Sequence, residues 1–426
     1  MSRRELILFA LILAAALAAR ILFCVAVVGL HAPLKGDETE YHAIAVSLSE
    51  GGGFALPWIG ATAKRPPLYP LLLSGVYRLS GPDPAAGRIL QIALGVLAVA
   101  MTFLLGDRLF PRKISLLAAA AAACNPFLIF MSGYLLTENL YICLLLGVII
   151  LIVGLLRSSR SGRGISLISG LLMGACILAR PTALLFAGAL VLIVCAWTGG
   201  PCARRLARGA VFAAATIAVF SVWTARNRVV LGETVLFTTH GGHTFYQGNN
   251  EVAYREPRYR GGVAPPEALP GWERLRGAGE VRSDRLARAL GMEFVRENPG
   301  RFMEMAVYKF ARTWRFRSDM GLSGVRSGWW WDKSRFLGGL ASAFDAGFLF
   351  SAVSIPLFIA GVALSADRRR LLAPLYALIL VHTLVAMIFF GSLRMRIPVE
   401  PALAIFAAAG LFGIARRIGG RRGAGV

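Results

Sequence analysis

Residues 6–30 read LILFALILAAALAARILFCVAVVGL, and shortly afterwards residues 36–50 read GDETEYHAIAVSLSE. The first stretch is long enough to cross a hydrocarbon core, which takes roughly 20 predominantly apolar residues. The second places Asp37, Glu38 and Glu40 at the mouth of that span, where ionised groups are costly and tend to be functional. An apolar span that delivers a carboxylate cluster to the membrane edge points to a membrane protein with a site at one surface.

The rest of the chain repeats the apolar half of this pattern. Further runs occupy residues 89–109, 114–130, 140–156, 165–178, 182–197, 210–225, 344–364, 371–390 and 397–414, while 67–79 is short for a span and reads as re-entrant or interfacial. The expected fold class is an all-α polytopic membrane protein of about 10–11 transmembrane helices. Composition agrees: 56% hydrophobic and only 16% charged residues, with a mean hydropathy of +0.63, exceed what one soluble core of this length requires.

Arginines set the expected orientation. Turns holding Arg3/Arg4, Arg108/Arg112/Lys113, Arg157/Arg160/Arg163, Arg204/Arg205/Arg208, Arg368–Arg370 and Arg416/Arg417/Arg421/Arg422 alternate with loops poor in basic residues. The positive-inside rule assigns these turns, and with them both termini, to the cytoplasm and GDETEYH to the outside. Much of the net charge of +23 is then topogenic, and no nucleic-acid partner is needed. The remaining outer excess suits anionic head groups or a lipid-linked phosphate equally well. The first run has small residues at 14–19 but stays apolar beyond Arg20, so it reads as an uncleaved signal anchor. Five cysteines fall within spans and Cys202 in a turn, without metal-ligand spacing; they read as packing residues.

Three parts are expected: a membrane block at 1–225 with a first outer loop at 31–66, an outer loop region at 226–343, and closing helices with a short basic tail at 344–426. In the outer region, GNN at 248–250 and the Pro/Gly-rich run 261–271 read as turns. A helix is expected from Ser283, with Leu286, Leu290 and Phe294 on one face and a break at Asn298–Pro299. Residues 301–317 interleave aromatic and basic side chains, the pattern of a helix lying in the interface plane.

Asp37 and Glu40 also have the spacing of an N-cap and its capping-box partner, and Gly51–Gly53 that of a helix stop. Capping does not exclude function. A carboxylate at a helix N-terminus is kept ionised by the helix dipole, and positioned there it can accept a proton from a hydroxyl. Lys64 and Arg65 precede Pro66 and Pro67, which stiffen the turn presenting those cations to a phosphate at head-group level. Glu138, Arg180, Arg394 and Arg396 belong to the same expected outer face; each alone reads equally as an interfacial or helix-pairing charge.

The order of an acidic first outer loop, GGGF, RPPLYPLLL, TEN, ARPTALL, GNN, REN-P-x-x-F before YKFARTW, and a late RMRIP-x-x-P resembles the GT-C glycosyltransferases. More narrowly it is similar to the bacterial relatives of protein O-mannosyltransferases and of the lipid A aminoarabinose transferase. The resemblance covers nearly the whole chain and rests on motif order more than on any one motif. It implies a polyprenyl-phosphate sugar donor, an extracytoplasmic active site in a bacterial cytoplasmic (inner) membrane, and inversion at the anomeric carbon. It assigns Asp37 as catalytic acid, Glu38 as the adjacent member of the acid pair and Glu138 as the second acidic position, often aspartate in the family. It assigns Arg65 to the carrier phosphate and Arg180 to a second basic position, often lysine. Tyr41, Lys64, Arg394 and Arg396 complete the substrate-binding candidates. The sequence departs from several relatives in showing no large soluble C-terminal domain, which leaves acceptor selection open: an envelope lipid, glycan or protein.

No metal or other cofactor is required by this reading. A divalent ion is compatible with two acids near a phosphate, and His42 or the pair His240 and His243 would add imidazoles, although histidines three apart in a glycine loop are more often turn residues. The competing class is a polytopic transporter or lipid flippase, which would place polar residues near the bilayer midplane and show repeated halves; no repeat is evident.

Overall fold

The computed structural model describes residues 1–157, 162–316 and 346–422, and is built almost wholly of helices. Helix α1 (Arg3–Leu22), opened by a Ser2/Glu5 capping box, continues as a π-helical segment Phe23–Val28. α2 (Asp37–Ser49) and α3 (Leu68–Ser80) pack on each other at one end of the bundle, linked by a small hairpin pairing Ala55 with Ala61. The membrane block follows as α4 (Pro84–Leu109), α5 (Arg112–Cys124), α6 (Pro126–Met131), α7 (Glu138–Arg157), α8 (Arg163–Ala179), α9 (Ala183–Trp197) and α10 (Cys202–Leu231).

Among the described residues, seven helical segments are long and apolar enough to span a membrane: Arg3–Val28, Pro84–Leu109, Glu138–Arg157, Cys202–Leu231, Gly347–Leu364, Ala366–Ile388 and Leu393–Ile418. The runs at 165–178 and 182–197 form the shorter apolar helices α8 and α9. The run at 114–130 is not one helix: Asn125 adopts extended backbone before Pro126 and its side chain caps α6, so α5 and α6 are separate. The short stretch at 67–79 is α3, which lies between α2 and α4. Residues 344 and 345 of the expected eighth run lie outside the described residues.

The core is centred on α7, packed by α4, α8 and α17 (Arg369–Ile388), while α19 (Glu400–Arg422), preceded by the single turn α18 (Leu393–Arg396), packs on α5 and on α16 (Ala346–Leu364). α16 and α19 touch backbone to backbone, because a Cβ on Gly361 would meet Phe406 O at 1.8 Å and one on Gly410 would meet Leu357 O at 2.1 Å. Leucines and isoleucines of α1, α9 and α10 remain exposed around the outside, as a lipid-facing surface requires. The chain is a multi-pass integral membrane protein.

The basic turns gather at one end. Arg368 donates to Leu109 O at 2.7 Å, Arg370 to Leu156 O at 3.3 Å, and Arg112 pairs with Glu5 at 3.3 Å. The opposite end carries α2, α3 and a cap of α11 (Gly241–Gly248), α12 (Glu251–Arg255), α13 (Trp272–Arg276), α14 (Glu280–Glu297) and α15 (Pro299–Trp314), with its own small core around Tyr246, Leu275 and Met305. α14 starts three residues before Ser283, buries Phe294 and stops at Asn298. α15 buries Met305, Lys309 and Thr313 and exposes Met303, Val307 and Phe310, an apolar outer stripe suited to the membrane interface. Residue 317 of that expected segment lies outside the described residues. None of the six cysteines is disulfide-bonded.

Candidate active site

Gly36 has φ 57° and ψ −127°, a backbone conformation that favours glycine, and this turn starts α2 at Asp37. The expected capping box does not form: Gly36 is the N-cap, and Asp37 and Glu40 are claimed by cations instead. Charge-assisted hydrogen bonds to guanidinium are stronger than a neutral cap. At the other end of α2 the glycines behave as expected, with Gly51 at φ 86° and Gly53 at φ 80°.

Arg65, fixed ahead of two prolines, donates from Nη2 to Asp37 Oδ1 at 2.7 Å and from Nε to Glu40 Oε2 at 2.5 Å, and lies 5.4 Å from the Tyr41 ring centre. Lys64 Nζ reaches Glu40 Oε1 at 2.6 Å. From α18, which Ser392 caps, Arg394 Nη1 donates to Asp37 Oδ2 at 2.8 Å and Nε to Glu138 Oε1. Glu138 is fully buried at the start of α7. Arg180 is extended, as the residue before Pro181 must be, and this ends α8 and turns its guanidinium to Glu138 Oε1 at 3.0 Å and towards the Tyr141 ring. That Arg180 nitrogen makes no hydrogen bond among the described residues, and Glu138 Oε2 likewise has no partner.

Asp37, Tyr41, Lys64, Arg65, Arg180 and Arg394 border a cavity of about 760 Å³. One wall is ionic, with Asp37, Lys64, Arg65, Arg180 and Arg394; another is apolar, with Leu184, Leu185, Phe237, Ile388, Phe389 and Phe390. Leu184 and Leu185 also lie on the exposed surface of α9, so the apolar wall continues onto the lipid-facing side. Four cations face three carboxylates, leaving a net positive site.

Burial alone would raise the Asp37 carboxyl, but the Arg394 and Arg65 guanidiniums outweigh it and hold it well below the usual carboxylate range. His240, on the α10–α11 connection, lines the cavity; burial and then Arg65 push it down to about 3, so it is a neutral imidazole.

The structure therefore brings together Asp37, Tyr41, Lys64, Arg65, Glu138, Arg180 and Arg394. It does not bring Glu38 or Arg396 to them. Glu38 turns into the protein and accepts from Leu135 N at 2.9 Å and Lys35 N at 3.4 Å, and burial pushes its carboxyl up. Arg396, at the end of α18, is buried with Glu400 at the start of α19 at 2.7 Å, an i,i+4 pair, and bonds Ser351 at 2.9 Å. His42 bonds Tyr77 at 2.8 Å, and His243 bonds Ser283 at 3.1 Å. His240 enters the sequence reading only as a metal ligand with His243, and Glu280 is not among the site candidates. Glu280, at the start of α14, accepts from Thr62 Oγ1 at 2.8 Å, Ala63 N at 2.9 Å and the Thr239 hydroxyl, and so ties the Lys64–Arg65 turn to the residue before His240.

The acids that a divalent ion would need do not fit one as they stand. Asp37 has a guanidinium on each oxygen, Arg394 fills the space between it and Glu138, and no metal-type group of three or more His, Cys, Asp or Glu occurs among the described residues.

Residues 64–225 match the family described as dolichyl-phosphate-mannose-protein mannosyltransferase. The fold matches the Archaeoglobus fulgidus oligosaccharyltransferase AglB in three states. These are the apo form (TM-score 0.60, 12% identity, 99% of this chain and 52% of that one), a complex with an inhibitory peptide and a dolichol-phosphate (0.57, 13%, 99% and 51%), and a complex with zinc and sulfate (0.55, 14%, 96% and 49%). The chain shares the AglB fold, and its family match is confined to residues 64–225. It spans about half the length of the oligosaccharyltransferase. Cupriavidus metallidurans ArnT bound to undecaprenyl phosphate aligns at a TM-score of 0.43, with 15% identity over 96% of this chain and 78% of that one. No curated protein matches the sequence.

Proposed function

We propose that this chain is a GT-C glycosyltransferase that moves a sugar from a polyprenyl-phosphate donor to a hydroxyl of an envelope lipid, glycan or protein. The reaction takes place on the extracytoplasmic face of a bacterial cytoplasmic membrane, with inversion at the anomeric carbon. The observation that carries this reading is a single cavity with a net positive ionic wall around Asp37 and an apolar wall continuous with the lipid-facing side of α9. A phosphate suits the first wall and a prenyl chain the second. The dolichol-phosphate bound to AglB supports the same ligand chemistry. Segregation of the basic turns to the far end supports an outward-facing site.

In this reading the acceptor hydroxyl is oriented by Asp37 and attacks the anomeric carbon as its bond to the phosphate oxygen breaks. The carbon passes through a transition state with oxocarbenium character, the acceptor proton passes to the Asp37 carboxylate, and the electron pair of the broken bond departs on the phosphate. Charge grows on that phosphate, so Arg65, Arg180 and Arg394 bind the transition state more tightly than the ground state. Asp37 clamped by two guanidiniums is a weak base. A phosphate that draws Arg65 and Arg394 towards itself loosens the clamp and restores basicity to the carboxylate when the donor is present. Lys64 holds Glu40, and Tyr41 supports the Arg65 plane.

The test is reconstitution in lipid with a panel of polyprenyl-phosphate sugars and mixed envelope acceptors, measuring acceptor-dependent release of polyprenyl phosphate. Arg180→Ala should weaken donor use while leaving the fold intact. A protein that moves a lipid or solute across the bilayer without releasing polyprenyl phosphate would overturn the reading.

A further inference from the structure

Arg394 occupies the one position that both principal acids share. Its Nη1 donates to Asp37 Oδ2 at 2.8 Å and its Nε to Glu138 Oε1, joining the start of α2 to the start of α7 from α18. Among the described residues each acid has one further cation, Arg65 on Asp37 and Arg180 on Glu138, so the row runs Arg65, Asp37, Arg394, Glu138, Arg180. Two carboxylates from different helices with a phosphate site beside them form an oxygen donor set of the kind that holds a divalent cation. In this chain a planar guanidinium fork spans the pair.

We infer that Arg394 is the resident cation of this site. It fixes Asp37 relative to Glu138 and presents positive charge to the departing phosphate, the task that a divalent ion performs in metal-assisted transfer. Two further features agree. Glu138 is fully buried, its Oε1 pairs with both Arg394 and Arg180, and among the described residues its Oε2 has no hydrogen-bond partner. Arg394 also lines the cavity, so one guanidinium faces both the acids and the ligand space. The catalytic half of this inference rests on the transferase reading; the cation-site half rests on geometry alone.

The experiment uses the full chain in lipid nanodiscs. Wild-type turnover should be indifferent to EDTA, and Mn²⁺ titration followed by electron paramagnetic resonance should show no site that disappears in Asp37→Asn. Arg394→Ala should lose about 10²- to 10³-fold in turnover, as for removal of one preorganised donor. Millimolar methylguanidinium should recover part of that turnover and raise the melting temperature of Arg394→Ala, but not that of the wild type. If Arg394→Ala does not fold, Arg394→Lys serves: its point charge reaches one acid but does not span two, so turnover falls and methylguanidinium stabilises it less than it would an open site. An Asp37-dependent Mn²⁺ site in the wild type, or EDTA-sensitive transfer, would overturn the inference. So would a folded Arg394→Ala with wild-type turnover or with a melting temperature blind to methylguanidinium. If no donor is turned over by the wild type, the transferase reading falls while the Mn²⁺ and melting measurements still decide the place of Arg394.

Discussion

Replacing Glu280 tests whether the cap sets the geometry of the ionic wall. The carboxylate accepts from Thr62 Oγ1, Ala63 N and the Thr239 hydroxyl. Thr62 and Ala63 are fully buried and Thr239 is nearly so. In Glu280→Ala the two hydroxyls can rotate to other acceptors, but the Ala63 N–H is left in a dry position, at a cost of about 1–3 kcal/mol. Loss of the charge-assisted bonds brings the expected destabilisation to about 2–4 kcal/mol. Arg226 still holds the same loop by donating to Thr62 O at 2.7 Å and Phe54 O at 3.0 Å, so the protein should fold. The Lys64–Arg65 turn, however, loses the side chain that ties it to the cap. A displacement of about 1 Å at a phosphate-binding guanidinium costs on the order of 10² in rate. The assay is kcat/KM for donor in nanodiscs beside a thermal melt: Glu280→Ala should fall about 10²-fold, whereas Glu280→Gln, which keeps one acceptor oxygen and the shape, should fall less than about tenfold. A folded Glu280→Ala with wild-type kcat/KM would refute the argument that the cap positions Arg65.

Other expectations follow from burial and close approach. Because Asp37 is held far below the usual range and His240 near 3, neither should produce an acid limb in kcat/KM between pH 8 and about 5, read from a pH–rate profile. Lys309 is buried against Asn249 Oδ1 at 2.7 Å and the Ile388 carbonyl at 3.2 Å, and burial pushes it down to about 7. Between about pH 7 and the ordinary lysine value the unfolded chain binds the extra proton, so stability should rise with pH across that window. The full rise is on the order of 5 kcal/mol, and Lys309→Met should flatten it in denaturation series at stepped pH. A Cβ on Gly391 would lie 2.2 Å from Lys309 O and 2.6 Å from its Cα, so Gly391→Ala should cost about 1–3 kcal/mol in a thermal melt and lower turnover by moving the segment that carries Arg394.

Hydrophobic length and the alternation of basic turns made the membrane bundle legible, since both act locally along the chain. Asn125–Pro126 carried a readable cap and helix break that the continuous hydropathy of 114–130 concealed. Of the acids in GDETEYH, sequence separates neither role nor direction: Asp37 and Glu38 are neighbours on α2, yet a helix turns successive side chains about 100° apart, which sends one to the arginines and the other to Leu135 N. The Arg396–Glu400 spacing was a usable warning that this arginine had a local partner, whereas Arg394 had none within its own helix. Glu280 carried no such signal, because its partners at 62 and 63 lie more than two hundred residues away and meet it only through the cap.

The most direct test of the central claim compares wild type with Asp37→Asn, reconstituted in lipid, for acceptor-dependent release of polyprenyl phosphate across the donor panel. The account predicts release by the wild type with at least one donor and a loss on the order of 10² or more in a folded Asp37→Asn. Equal release by both proteins would contradict it.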